Sequence, residues 1–395
     1  MNSSRFAVLV AVLAVAVVAA TWLAVSIGAV PVALGQAWGI VADKLAPGLV
    51  PRTWTPVQEQ IVWEFRLPRA LLALLVGAGL AVVGAVLQAL VRNPLADPFL
   101  LGISSGASFG AVLVAIVGAS ALGGLSMSAA AFAGSLLALG LVYLLAQRAG
   151  RLTPSRLVLA GVALAYLFQS AYSFVLQLAQ SGRAAQQVLF WLMGSLGGAR
   201  WHLLPVPAVV LAAGVTYLLM QHRPLNALAA GEETAVSLGV NVGRFRLTLF
   251  LLTSLLVGVL VATSGAIAFV GLIVPHAARL LVGGRPPPGV AGVVGGGGWV
   301  VGGVGGVAPP PRGARAFGAP PPPPPPRPPP PPPPRRVLPV TALLGAVFLQ
   351  LVDVAARTVN APQELALSIV TALFGVPFFL WLLRRRSADR EVSVT

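Results

Sequence analysis

Ten nearly uninterrupted apolar runs recur along this chain, at 6–28, 67–91, 99–117, 125–146, 157–178, 202–220, 247–262, 267–282, 338–356 and 365–383. A helix needs about 20 apolar residues to cross the hydrocarbon core of a bilayer, and most of these runs have that length. The chain therefore reads as an all-α polytopic membrane protein, a single bundle of about ten transmembrane helices. Its composition, 57% hydrophobic and 9% charged, is far from that of a soluble domain. The first run is too long for the apolar part of an ordinary signal peptide and is read as a retained span.

An even number of spans puts both termini on one face. With the N-terminus inside, 19 Lys and Arg fall on the inner face and 7 on the outer, as the positive-inside rule requires. The net charge of +16 thus reports orientation in the lipid bilayer of a cell (inner) membrane, with both termini cytoplasmic. No nucleic-acid partner is expected, because the arginines flank spans and do not form one aromatic-studded patch. There is no cysteine, which excludes disulfides and thiolate metal sites. His202, His222 and His276 have no companion carboxylate at ligand spacing, so neither a metal site nor a cofactor is expected.

Between the sixth and seventh runs lies RPLNALAAGEETAVSLGVNVGRFR, residues 223–246. Pro224 suits the first turn of a short helix, where its missing N–H costs nothing. Gly231 interrupts that helix, and Glu232 and Glu233 stand at the positive N-terminal end of a second one. Gly239 occupies the place of a left-handed C-terminal cap, after Ala235 and Leu238, which are expected to share a small apolar face. Two short helices hinged by glycine at a membrane surface suit a docking knob for a cytosolic partner; a plain loop is the competing reading.

Elsewhere, residues 29–65 read as a mixed stretch with Trp38, Trp54 and Trp63 in the interfacial belt, and 179–200 as a polar connection. Thr263, Ser264, Gly265 and Pro275 predict irregular helix beside a cavity. Asp353 is an intramembrane carboxylate with Arg357 one turn on, a structural pair first. Residues 284–334 are nearly all Gly, Pro and Val and cannot span a membrane as a helix; they read as an anomalous low-complexity insertion in a cytoplasmic loop. The Gly-rich 295–306 contains no Lys, so no phosphate-binding loop is present there and the chain is not expected to be an enzyme with its own ATPase site.

Five ordered blocks carry a family resemblance: RLPRALLALLVGAGLAVVGAVLQALVRNPLADPFLLGISSGA (66–107), LTPSRLVLAGVAL (152–164), GEETAVSLGV (231–240), SGAIAFVGLIVPHAARLLVG (264–283) and VTALFGVPFFLWLLRR (370–385). Together they resemble the FecCD-type permeases of iron–siderophore, haem and cobalamin ABC importers. The resemblance implies a type II ABC importer bundle that pairs with a second permease copy, cytosolic ABC ATPase subunits and a periplasmic or lipid-anchored substrate-binding protein. An iron–siderophore complex is the expected cargo, with cobalamin or haem as the alternative.

Residue by residue, the resemblance implies that Gly231, Glu232, Glu233, Ala235, Leu238 and Gly239 belong to the ATPase-coupling segment. It likewise implies that Arg66, Arg69 and Arg357 receive carboxylates of the binding protein at the outer mouth, and that Thr153, Pro154 and Ser155 form the cytoplasmic gate turn. The residues alone allow plainer roles, namely lipid-headgroup anchors for the arginines and a helix N-cap followed by Pro at N1 for the gate turn. An ion-coupled secondary carrier would want a buried carboxylate or histidine relay, and a membrane enzyme a grouped constellation; neither pattern is evident.

Overall fold

The computed structural model describes residues 2–283 and 334–391, apart from 29, 49, 92, 94, 120–123, 149, 150, 180 and 181. Most of the anomalous stretch, 284–333, lies outside the described residues. Ten helices form the bundle: α1 (Ser3–Ser26), α4 (Leu67–Val91), α5 (Ile103–Val117), α6 (Met127–Ala146), α7 (Pro154–Gln177), α9 (Pro205–Met220), α12 (Val242–Ser264), α13 (Val270–Leu281), α14 (Pro334–Thr358) and α15 (Leu367–Glu391). Seven are long and apolar enough to cross a membrane, α4 counted with the helix before it; α5, α13 and the apolar part of α15 are shorter.

Two regions hold more regular structure than their sequence suggests. Residues 29–65 contain α2 (Leu34–Leu45) and α3 (Pro56–Gln60), and 179–200 contains α8 (Gly182–Leu192). The start of α3 is a capping box, in which Thr55 accepts from the Gln58 N–H and Gln58 accepts from the Thr55 N–H. From Thr55 the chain runs helically through a π-turn, Ile61–Arg66, into α4. Pro68 thus sits inside a continuous helix and not at a helix start. Because it has no N–H to give the Glu64 carbonyl, the widened turn just before it is where the register adjusts.

The centre of the bundle is α4, which packs against α1, α9, α12, α13 and α14. Of its best 18-residue window 78% is buried, against 22% for α7. Small residues make this possible, since lipid offers helices no hydrophobic reason to associate and close backbone packing must serve. A Cβ on Gly84 would lie 1.9 Å from the Gly271 carbonyl oxygen, and one on Gly77 would lie 2.2 Å from that of Gly345. The same device joins α5 to α6, where a Cβ on Gly110 would meet the Ala130 carbonyl at 2.0 Å.

At the α4–α13 crossing this closeness serves a second purpose. Pro275 lies inside α13 and cannot bond the carbonyl four residues back, Gly271. The Gln88 side chain of α4 donates to that carbonyl instead, at 3.3 Å, and its own oxygen accepts from Arg279 Nη2 at 2.6 Å. The helix therefore continues through Pro275, and the irregularity expected there is confined to the segment before α13.

The α7 and α15 flanks leave large apolar side chains outward, among them Leu159, Tyr166, Leu167, Phe174, Leu373 and Phe374. They face lipid or another chain.

Replacing Gln88 by Leu orphans a buried carbonyl and should cost about 1–3 kcal/mol. In a Pro275→Ala background the restored N–H bonds Gly271 within α13, so the same replacement should cost less. Thermal unfolding of the four proteins in detergent checks this; equal costs in both backgrounds would refute the assignment of Gln88 to the proline-freed carbonyl.

Candidate functional site

Polar features gather at the two ends of the bundle. At one end, α10 (His222–Ala230) and α11 (Glu232–Ser237) form the expected pair of short helices. Pro224 lies in the first turn of α10, and Gly231 separates the two with a φ of 140° that only glycine takes easily. The α11 terminus is a Schellman motif: the Val240 N–H reaches the Ala235 carbonyl, the Gly239 N–H reaches that of Val236, and Gly239 has φ 77°. Asn241 then caps α12 by accepting from the Arg244 N–H at 3.1 Å.

Buried side chains anchor this knob. Leu225 and Leu228 of α10 and Ala235 of α11 enter the main core. Ala235 and Leu238 consequently do not share a face: Ala235 is buried, whereas Leu238 and Val236 are 68% and 60% exposed. The outward apolar pair is Val236 and Leu238. Glu232 bonds Arg246 of α12 at 2.9 Å, while Glu233 is exposed. Arg246 is almost wholly buried, so Glu232 positions the knob by compensating a guanidinium drawn out of water. The sequence contained that pairing only as two residues 14 apart, with nothing to join them.

Arg148 and Arg151 pair as a minimal antiparallel ladder, Gln147–Arg148 with Arg151–Leu152, directly before α7. Thr153 is the extended N-cap residue of that helix, with its carbonyl accepting from the Leu157 N–H and its side chain making no cap bond; Pro154 is at N1. Thr153 and Ser155 are exposed at this end.

At the opposite end three chain segments are sewn together. The Ser195 N–H donates to the Ser264 carbonyl, those of Leu367 and Ser368 donate to Gly194 and Met193, and the Ala268 N–H donates to Ser368 Oγ. Ser368 Oγ also donates to the Ala266 carbonyl, so this side chain braces the 265–269 break in the helix that the Thr263–Gly265 sequence predicts. Gly265, at φ 67°, admits the Trp191 carbonyl where a Cβ would come within 2.2 Å.

The three arginines lie at this end but differ in what they do. Arg66 Nη1 donates to the Ser26 carbonyl at 2.9 Å and more weakly to that of Val25, and Nη2 donates to Val30. Arg357 Nη2 donates to the Ala24 carbonyl. Both guanidiniums therefore cap the C-terminus of α1, where unpaired carbonyls and the helix dipole favour cations. Arg69 instead grips carboxylates. Its Nε and Nη2 each lie 2.9 Å from Asp353 Oδ1, and Nη1 lies 2.7 Å from Glu364. Asp353 does pair with Arg357 one turn on, at 3.4 Å, but Arg69, 284 residues away in sequence, is its shorter partner. Beside Glu364 opens a cavity of about 590 Å³, whose wall includes Trp191, Phe190, Met127, Ser195 and Thr263. Nothing in the periodicity singled out Glu364.

A bundle of ten apolar helices, with a hinged helical knob at one end and an ionic cluster over a cavity at the other, is the architecture of a multi-pass permease. The profile of the FecCD transport family matches residues 13–302 and 331–385, and the chain belongs to that family, whose members include permeases of type II ABC importers. Similar proteins include the cobalamin import system permease protein BtuC of Halobacterium salinarum, 37% identical over 386 residues, covering 96% of this chain and 89% of the relative. The vitamin B12 import system permease protein BtuC of Salmonella paratyphi A is 35% identical over 336 residues, covering 85% and 87%. Among solved structures, a metal-chelate type ABC transporter in an inward-facing conformation superposes with a TM-score of 0.71 at 29% identity, covering 95% of this chain and 98% of that one. The profile leaves 303–330 unmatched, within the anomalous stretch.

Exchanging Glu232 for Gln should speed amide hydrogen exchange in α10 and α11 roughly fivefold, the worth of about 1 kcal/mol for a half-exposed pair. Exchanging Glu233 for Gln should leave it unchanged. Exchange–mass spectrometry on both variants checks this, and equal protection in the two would remove Glu232 from its positioning role.

Proposed function

We propose that this chain carries a corrinoid, cobalamin being the type, as the permease of an ATP-driven importer in the inner membrane. The observation that carries this reading is the 37% identity to a cobalamin permease across 96% of the chain. An iron–siderophore complex is the second reading, favoured by the ordered blocks that iron–siderophore permeases share and by the metal-chelate transporter of similar fold.

In this reading the α10–α11 knob, Gly231 to Gly239, faces the cytosol and seats on an ABC ATPase subunit through Val236 and Leu238. Two exposed aliphatics on a short, rigid, two-point-anchored helix are suited to a groove. Thr153, Pro154 and Ser155 close the pathway at the same end, and both termini are cytoplasmic. The arginine-bearing end faces outward and receives the carboxylates of a substrate-binding protein. Arg69 makes the contact, while Arg66 and Arg357 hold α1 and the cluster from below. The apolar flanks of α7 and α15 suit a second permease copy.

Reconstitution with the importer's ATPase and binding protein in proteoliposomes should give ATP-dependent cobalamin uptake. The double change Val236→Asp and Leu238→Asp, both outward, should leave the permease folded and abolish uptake. Uptake of a ferric siderophore without cobalamin would move the cargo to the second reading, and full uptake by the double variant would remove the knob's coupling role.

A further inference from the structure

The carboxylates on Arg69 are of two kinds. Asp353 has no exposed surface, takes Nε and Nη2, and is shared with Arg357. It neutralises a charge inside the bundle, and no outside group reaches it. Glu364 lies on the loop between α14 and α15, is 36% exposed, and meets only Nη1. The Arg69 side chain itself is 12% exposed. The four groups balance as two cations and two anions, so Arg69 has no charge left over for an incoming carboxylate.

We propose that Glu364 is a displaceable internal occupant of Arg69, and that an acidic side chain of the external binding protein docks by taking its place on Nη1. The exchange is one carboxylate for another and leaves the buried Asp353 pairing intact, so it needs no rearrangement of the bundle. Of the two carboxylates on Arg69 only Glu364 reaches water, which screens its contact and makes it the exchangeable one. Once displaced, Glu364 has a like charge beside it and moves toward the open side of its loop, the cavity whose wall it already forms. Docking thereby places a free carboxylate at the cavity mouth. The internal pair also screens the site against neutral partners, since only an anion replaces what is lost from the guanidinium. This inference rests on the reading of Arg69 as a docking residue.

The test measures docking of the purified external binding protein to the full importer complex in phosphatidylcholine nanodiscs. Glu364→Gln keeps the shape of the side chain and removes its charge, so docking should tighten roughly two- to fivefold, the range expected for one half-exposed pair. The gain should shrink as salt rises from 0.05 to 0.5 M, because screening weakens the competition. Arg69→Glu should weaken docking at least tenfold through like-charge repulsion. If Arg69→Glu weakens docking but Glu364→Gln leaves it unchanged or weaker, the displacement is overturned while Arg69 remains a docking residue. If Arg69→Glu docks normally, the docking reading falls, and the displacement with it. Arginine-specific labelling with phenylglyoxal gives an independent readout on the complex alone: Arg69 should be labelled faster in Glu364→Gln than in the wild type, and equal rates would also overturn the proposal.

Discussion

Where helices are surrounded by hydrocarbon, what holds one against another is the distance to which their backbones approach. In this bundle that distance is set by glycines on α4. Gly84 lets α4 rest on the Gly271 carbonyl, and Gly77 and Gly345 admit each other's carbonyls at the crossing with α14. Lipid tails are as apolar as the side chains, so exchanging lipid for Leu gains little; dispersion and hydrogen bonding over short gaps decide the packing. The Gln88 bond to Gly271 exists because the helices are already that close, and it in turn makes Pro275 tolerable within a buried helix.

The ends of the bundle obey a different constraint. There, charges leave water and each must find a partner. Arg246 is compensated by Glu232, Arg69 by Asp353 and Glu364, and Arg66 by the carbonyl end of α1. These pairings join segments that are remote in sequence, and they fix the surfaces that remain. The knob shows Val236 and Leu238 because Ala235 and Leu228 are drawn inward. The opposite end shows one edge of Arg69 because the rest of its guanidinium is already engaged.

The parts of this architecture legible in the sequence are the local ones. Apolar length located the ten bundle helices of the described residues, seven of them long enough to span, and Gly231 and Gly239 located the hinge and the cap of the knob, because a positive φ selects for glycine at a single position. Residues 29–65 were harder, since α2 and α3 are short, with Pro51 between them and Pro56 opening α3; the Thr55–Gln58 capping box was the available signal. The α8 segment carries Arg183, Gln186 and Gln187, so it lacks the apolar continuity that marks a span. The internal partners of the three arginines were not legible. The bond from Arg69 to Asp353 closes a loop of 284 residues, and no local pattern records such a pairing. The spacing of Asp353 and Arg357 did indicate an ion pair, but not that a third group would hold it more closely.

The capping of α1 also bears on the order in which the molecule can be assembled. This helix is made before the elements that close it, and only 28% of its most apolar window is buried. Its carbonyl end is closed by Arg66, made soon afterwards, and by Arg357, which follows Ala24 by 333 residues. Its Thr21 hydroxyl likewise waits for Gln350. The α1 helix thus acquires part of its permanent contacts only once α14 has been made. During translation it resides in lipid as a loosely held span, and the arrival of α14 converts it from a tenant of the membrane into a wall of the protein.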